Sequence, residues 1–263
     1  SRLSLCGGSQ VNSGPRHPKN VAERKLNFGF LSSLTAAGIT SFYASRACAV
    51  GSYSSESAGV AKLKRASEMA SGVVKKGAID DRVYRAFTLD NGLRVLVVSD
   101  KETSRAAAAL NVHVGSFCDP LSVPGLAHFA EHMCFLGTKK YPYEGDFQKF
   151  LSSHGGSSNA FTDSEDTQYY FDCTEPFLSA SLDRFSHFFI DPLFTPSAVG
   201  RELNAIDSEH SKNLNNDGFR LYQLDKSGAN PLHPLHKFAT GNKETLEKVP
   251  KQKGINIRDE LIA

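Results

Sequence analysis

The segment at residues 126–136 constrains the fold more than any other part of the chain. It places His128, Glu131 and His132 within five residues of mostly apolar sequence, where titratable groups are costly to bury without partners. On an α-helix, residues four apart project from nearly the same face, so both imidazoles can approach one point. The pattern therefore predicts a helix that carries a cluster of functional side chains.

The rest of the pattern predicts strands before helices. Two alternating runs, 84–89 and 93–98, flank the turn sequence Asp90-Asn91-Gly92 and predict a β-hairpin. A third strand is predicted at 106–117, and two more surround a polar turn within 159–174. Helices are predicted at 126–136, 143–156, 176–190 and 197–213, and from residue 215 onward only turns and short helical pieces. This order indicates an α+β fold, with a mainly antiparallel sheet packed against helices.

Composition divides the chain into three parts. Residues 1–58 are Ser-rich and basic, with a single acid in residues 1–54, and predict a disordered or targeting extension. An apolar centre at 28–43, followed by Ala47-Cys48-Ala49, leaves a secretory signal open, whereas the cytosol or a mitochondrion or other organelle is favoured. Residues 59–82 are a polar lead-in, and 83–263 form the predicted folded domain. No stable membrane span is expected.

Charge and cysteine usage exclude two classes of function. The net charge is only +2 and no Lys/Arg stripe is interleaved with aromatic residues, so a nucleic-acid partner is not expected. The five cysteines are odd in number, widely spaced and without a C-x-x-C pair, which argues against a disulfide framework and against a cysteine zinc site.

The two histidines four residues apart predict a zinc site. Zinc accepts imidazole nitrogens at roughly 2.0–2.1 Å, and a catalytic zinc uses three protein ligands plus a water. Glu131 comes one residue before the second histidine and is placed to take a proton from that water. The pattern is H-x-x-E-H, the inverse of the commoner H-E-x-x-H.

A third ligand has to come from elsewhere in the chain, and the residues alone leave it open. The helix at 197–213 is the most suggestive source, because Glu202 and Glu209 are two turns apart and share a face. One of them could bind the metal and the other orient a ligand or a water, although a solvated acidic face is the simpler interpretation. The full set of candidates is Asp163, Glu165, Asp166, Asp207, Glu209 and His210.

Three separated motifs resemble the M16 family of inverzincin metallopeptidases, the pitrilysin and insulin-degrading enzyme family. They are HFAEHMCFLGTKKYP, GGSSNAFT and AIDSEHSKN, and the resemblance runs from about Tyr84 to the C-terminus. It implies an N-terminal catalytic domain of the M16, LuxS-like metallohydrolase fold, truncated at its C-terminal end. It further implies one Zn²⁺ on His128, His132 and Glu209, with Glu131 as general base and Glu202 as the acid that supports a ligand.

The resemblance also suggests where a peptide would bind. In this family an edge strand near the zinc pairs with the substrate backbone, which corresponds here to Ser158, Asn159, Ala160 and Phe161. Phe135 and Phe219 could line side-chain pockets, or could be core aromatics. The rings of Phe161 and of residues 169–171 are expected in the sheet core.

The predicted function is therefore that of a zinc-dependent metalloendopeptidase acting on peptides or small unfolded polypeptides, through a zinc-held water that Glu131 activates. Members of this branch contain about four such domains, so a complementary C-terminal half or a second M16 subunit is an expected partner, and the isolated chain could be weak or inactive. The alternative is a non-catalytic or partner-dependent subunit of a processing complex. The intact H-x-x-E-H argues against that alternative, because a non-catalytic member has no need of Glu131.

Overall fold

Two antiparallel three-stranded sheets contain the strands of the described residues. The computed structural model describes residues 67–68 and 74–263, so the predicted extension at 1–58 lies outside the described residues. The first sheet has the order β1-β2-β3 and the second the order β4-β6-β5. The strands are β1 (Ser67–Glu68), β2 (Val83–Thr88), β3 (Arg94–Ser99), β4 (Arg105–Val112), β5 (Ser157–Thr162) and β6 (Thr167–Thr174).

In the part of the chain that the structure describes, the α-helices all follow β4 in the sequence, and most of them lie in the second half of the chain. Within the described residues they are α1 (Leu126–Cys134), α2 (Asp146–Ser153), α3 (Leu178–Ile190), α4 (Pro196–Asn213), α5 (Asp217–Gly228), a π-helical turn (Glu244–Lys248) that runs into α6 (Val249–Gln252), and α7 (Ile257–Ile262). Together with the antiparallel sheets, they confirm the predicted α+β class.

One face of the β4-β6-β5 sheet forms a core with α2 and α3. Tyr169, Phe171 and Cys173 alternate along β6 and are buried. The burial of Tyr169 and Phe171 agrees with the prediction that their rings lie in the sheet core. Phe171 makes ring contacts with Phe147 of α2 and Phe185 of α3, with centroids 5.6 and 5.1 Å apart. These contacts fix the position of the sheet, and with it the position of its edge strand β5.

The prediction that Phe161 and Tyr170 lie in the sheet core was wrong. Their side chains are 47% and 40% exposed, because successive residues of a strand point to opposite faces. Phe161 follows the inward-facing Ala160, and Tyr170 lies between two buried residues of β6. The two rings therefore lie on the outer face of the sheet.

A second core joins α1 to α4. Phe129 and Met133 of α1 are fully buried with Leu203 and Ile206 of α4, and Leu246 of the π-helical turn closes the cluster. Burying a side chain of this size stabilises a fold by roughly 1.5–3 kcal/mol. The cluster holds α1 and α4 side by side, which brings the polar residues of both helices together.

Two elements differ from their predictions. The third strand ends at Val112 instead of 117, because the chain turns into a short 3₁₀ helix (Ser116–Cys118) whose first N–H groups donate to the main chain of Asp163 and Ser164. The segment after 215 contains α5, a twelve-residue helix rather than short pieces. No helix in the described part of the chain is both long and apolar enough to cross a membrane.

Candidate metal centre

The face of α1 next to its core-facing side carries His128 and His132. Since Phe129 and Met133 anchor the helix in the core, the histidines project towards α4 from one side of α1. Their ring centroids lie 4.8 Å apart and the ring planes are nearly perpendicular, at 88°. The predicted helix and the predicted shared face of the two imidazoles are both present.

The carboxylate that meets these rings comes from α4. Glu209 Oε2 lies 3.7 Å from His128 Nε2 and 3.7 Å from His132 Nε2. One ligand-type atom from each of the three residues lies within 4.8 Å of the other two, and this is the only such trio of histidine, cysteine or acidic side chains among the described residues.

Each imidazole is oriented through its other nitrogen. His128 Nδ1 lies 2.7 Å from the carbonyl oxygen of Thr240, which can only accept, so that Nδ1 carries the proton. His132 Nδ1 lies 3.0 Å from Glu202 Oε2 and donates to it in the same way. With the proton on Nδ1, the Nε2 atom of each ring faces Glu209 and can offer a lone pair, the arrangement that carboxylate or carbonyl partners impose on metal-binding histidines.

The carboxylates give the centre an electronegative character. Burial lowers the pKa of His132, but the carboxylates of Glu209 and Glu202 outweigh that effect and raise it overall. The adjacent His132 ring lowers the pKa of Glu209, against the burial that would raise it. A cation bound between these groups would offset the concentration of negative charge.

The donor set fits zinc. Two imidazole nitrogens and one carboxylate oxygen are the ligands of many catalytic zinc sites, and a tetrahedral ion with bonds of roughly 2.0–2.1 Å needs ligand atoms about 3.3–3.5 Å apart. The two 3.7 Å separations to Glu209 need only a small adjustment to meet that requirement. Because the Nδ1 atoms of both rings face hydrogen-bond acceptors, the Nε2 atoms can supply the lone pairs for the metal.

Glu131 lies on α1 beside the trio but is not part of it. Its side chain is buried, with only 7% of the residue exposed, and one carboxylate oxygen accepts a 2.6 Å hydrogen bond from the hydroxyl of Thr162 on β5. A carboxylate next to a bound metal, but not coordinated to it, is suited to general-base chemistry.

The other predicted candidates for the third ligand lie outside the cluster. The side chain of Asp166 contacts Asn111 and His113, and Asp207 accepts the main-chain N–H of Lys243. The ring of His210 packs edge-on against Phe238. The two remaining acids, Asp163 and Glu165, lie in the turn between β5 and β6. Glu202 reaches His132 only at Nδ1, so of the predicted candidates the structure brings only Glu209 to the Nε2 atoms of both histidines.

Sequence reasoning missed the groups that fix the start of α1. The Asp119 carboxylate accepts the N–H groups of Gly125 (2.7 Å) and Ala127 (2.8 Å), and so caps the helix from six residues upstream. A Cβ on Gly125 would lie 2.3 Å from the Cα of Gly241, so the loop that carries Thr240 packs directly on this helix end. The sequence feature that could have indicated this cap is an acid a few residues before a helix whose N-cap residue is glycine, which has no capping side chain of its own.

Ionised Asp119 suits this capping role. Burial raises the pKa of its carboxyl to about 6, although the N–H groups of Ala127 and Gly125 pull that pKa down. At neutral pH the group is therefore charged, and a negative charge at a helix N-terminus is stabilised by the exposed N–H dipoles.

We expect Asp119→Ala to lower the free energy of unfolding by about 2–3 kcal/mol, because two buried N–H groups lose a charged acceptor. Thermal or urea denaturation of the chain measures the change. Asp81→Ala, which removes an exposed carboxylate, is the matched control and should shift stability by less than about 0.5 kcal/mol. Equal effects of the two substitutions would contradict the capping role.

The residues predicted to bind substrate lie in three places. Ser158, Asn159, Ala160 and Phe161 form most of β5, which within the described residues pairs only with β6 and so leaves one edge open. The half-buried Phe135 packs against Phe188 and Tyr169, with ring centroids 5.0 and 6.2 Å away, as a core aromatic would. On α5, Phe219 is 49% exposed. No ring contact joins Phe135 to Phe219 in the part of the chain that the structure describes.

Comparison with known proteins gives consistent results. The sequence model of the family described as Insulinase (Peptidase family M16) matches residues 94–232. The insulin-degrading enzyme of Homo sapiens is 54% identical over 189 residues, which are 72% of this chain and 18% of that protein. A relative from Schizosaccharomyces pombe whose name describes a zinc protease is 50% identical over 184 residues, 70% of this chain and 19% of its own length.

The structural comparison points the same way. The crystal structure of pitrilysin superimposes with a TM-score of 0.68 at 37% sequence identity, covering 72% of this chain and 20% of that one. The chain thus spans about a fifth of the length of the relatives and of the structure that it matches.

Proposed function

The chain belongs to peptidase family M16, the insulinase family, and from that premise we propose that it carries the zinc site of a metalloendopeptidase acting on peptides or small unfolded polypeptides. The observation that carries the proposal is the convergence of His128, His132 and Glu209, whose ligand atoms lie within 4.8 Å of one another, with Glu209 Oε2 3.7 Å from each Nε2. In the proposal these three residues hold one Zn²⁺, and Glu202 holds His132 in place.

The proposed mechanism divides the chemistry between the metal and Glu131. When bound, zinc supplies a Lewis acid that polarises the scissile carbonyl and lowers the pKa of water to about 7. Glu131 takes the proton from the attacking water and later returns it to the leaving amine. Its burial supports this role, because a base shielded from bulk water exchanges its proton mainly with groups inside the site.

We place the peptide along the open edge of β5. Pairing there would use main-chain N–H and C=O groups of residues 158–161, which recognises an extended backbone and tolerates varied side chains. The exposed ring of Phe161 on the outer face and that of Phe219 on α5 would then be available to side chains of the substrate. Phe135 is the weaker candidate, because its ring already packs against Phe188 and Tyr169.

A quenched-fluorescent peptide tests the proposal. The zinc-loaded chain would be assayed alone and after mixing with the part of human insulin-degrading enzyme that the chain does not match. Cleavage by the chain alone or by the mixture supports the peptidase proposal. If zinc binds but neither sample cleaves any peptide of a varied panel, the alternative of a non-catalytic, partner-dependent M16 subunit replaces that proposal.

We expect Glu202→Ala to weaken zinc binding by about 10–100-fold, since the substitution frees the His132 ring to rotate and removes a neighbouring charge. Competition with a chromophoric chelator measures the affinity. Glu165→Ala is the control, because Glu165 is an exposed acid in the turn after β5, and it should leave the affinity unchanged. An unchanged affinity in Glu202→Ala would show that Glu202 does not orient the ligand.

A further inference from the structure

The hydrogen bond between Thr162 and Glu131 connects the last residue of β5 to the proposed general base. An ionised carboxylate can only accept, so the Thr162 hydroxyl donates its single proton to Glu131 Oε2. The 2.6 Å separation is typical of a hydroxyl that donates to a charged oxygen. Among the described residues, no other hydrogen bond reaches the Glu131 side chain, so its second oxygen remains available.

Thr162 is itself held in place by its neighbour on β6. Its register partner on β6 is Thr167, which is 4% exposed and donates to the carbonyl oxygen of Val114 at 2.8 Å. The two threonine hydroxyl oxygens are 3.3 Å apart. Both side chains are β-branched and therefore stiff about χ1. The Thr162 hydroxyl thus has a defined position on the inner face of the sheet.

We propose that Thr162 is a positioning residue that anchors one oxygen of Glu131 and thereby aims the other at the site of proton transfer. This inference rests on the proposed function, which makes Glu131 the base. It also links two parts of the site, because Thr162 closes the strand whose open edge is the proposed peptide-binding edge. A peptide that pairs with β5 would lie on the same strand that orients the base.

A structural role for the hydroxyl makes different predictions. If Thr162 only satisfied a buried polar group, its loss would lower stability and leave turnover per folded molecule unchanged. If it positions Glu131, its loss lowers kcat while leaving KM nearly constant, because peptide binding at the strand edge uses main-chain groups. Misplacing a reacting group by about 1 Å can reduce the rate by as much as about 10²-fold.

The first experiment compares Thr162→Val with Thr162→Ser in the zinc-loaded chain, complemented as described for the peptidase assay. Valine keeps the branched shape without the hydroxyl, and serine keeps the hydroxyl. We expect kcat to fall by about 10–10²-fold in the valine variant with KM unchanged, and to be largely restored in the serine variant. Thr174→Val is the matched control, because its hydroxyl donates to the carbonyl oxygen of His154 at the other end of β6 and its loss should leave kcat unchanged.

The second experiment needs no catalytic activity. Unfolding midpoints are measured for Thr162→Val and Glu131→Met, separately and combined, in the metal-free chain. We expect Thr162→Val to lower the midpoint when Glu131 is present and to have much less effect when Glu131 is already methionine, since the two residues share one hydrogen bond.

The outcomes separate the inference from the proposed function. Additive shifts of the unfolding midpoint, or an unchanged kcat in Thr162→Val, would overturn the positioning role. A raised KM with an unchanged kcat would also overturn it, since that pattern assigns Thr162 to substrate binding alone. If the wild-type chain cleaves nothing, the peptidase proposal fails, and non-additive midpoints would still establish that Thr162 anchors Glu131.

Discussion

Glu131→Gln is expected to reduce peptide hydrolysis by about 10²–10⁴-fold while leaving zinc binding intact. Glutamine keeps the shape of the side chain and can still accept the hydroxyl of Thr162 through its amide oxygen, so the fold and the hydrogen bond should persist. What is lost is a group that can take up a proton. Initial rates on a quenched-fluorescent peptide, with zinc content measured on the same samples, give both quantities.

The control for this substitution is Glu165→Gln, which changes the net charge equally at an exposed turn residue. It should cleave at the wild-type rate. Wild-type cleavage by Glu131→Gln would show that another group is the base. Loss of zinc along with activity would instead indicate that Glu131 is a ligand, which conflicts with the trio formed by His128, His132 and Glu209.

Glu209→Ala is expected to reduce zinc affinity by more than about 100-fold, a larger loss than that predicted for Glu202→Ala. The reason is that Glu209 provides the only carboxylate oxygen in the trio, whereas Glu202 acts through His132. Removing the Glu209 carboxylate leaves two imidazoles, which is one protein ligand fewer than a catalytic zinc site uses. Chelator competition at fixed pH measures both variants on one scale.

His210→Ala is the matched control for Glu209→Ala. His210 is the next residue of α4, its ring packs on Phe238, and it was itself a candidate for the third ligand. Its removal should leave the affinity within about twofold of wild type. A larger loss in His210→Ala than in Glu209→Ala would mean that His210, and not Glu209, is the ligand from α4.

The local parts of the site were readable from the sequence. A spacing of four places His128 and His132 on one helical face, and a spacing of seven does the same for Glu202 and Glu209. Spacing alone could not decide which glutamate meets the histidines. That choice depends on how α4 packs against α1, through a core whose contacts join residues far apart in sequence.

The supporting contacts were not readable, for the same reason. The carbonyl oxygen of Thr240 that orients His128 comes from a loop 112 residues away, and a main-chain oxygen has no signature in the sequence. Asp119 caps a helix whose N-cap residue is Gly125, which has no side chain, so a local capping rule finds nothing there. Helix α5 was underestimated even though Asn216 is a recognisable N-cap that accepts two main-chain N–H groups.

X-ray absorption spectroscopy of the zinc-loaded chain tests the central claim most directly, because it reads the ligands without requiring activity. The account predicts nitrogen and oxygen neighbours at about 2.0–2.2 Å, with the outer-shell pattern of two imidazoles and no sulfur. The outer-shell pattern of both imidazoles should be lost from the spectrum only when His128 and His132 are both replaced. A sulfur neighbour at about 2.3 Å, or an oxygen-only shell, would contradict the His128–His132–Glu209 site.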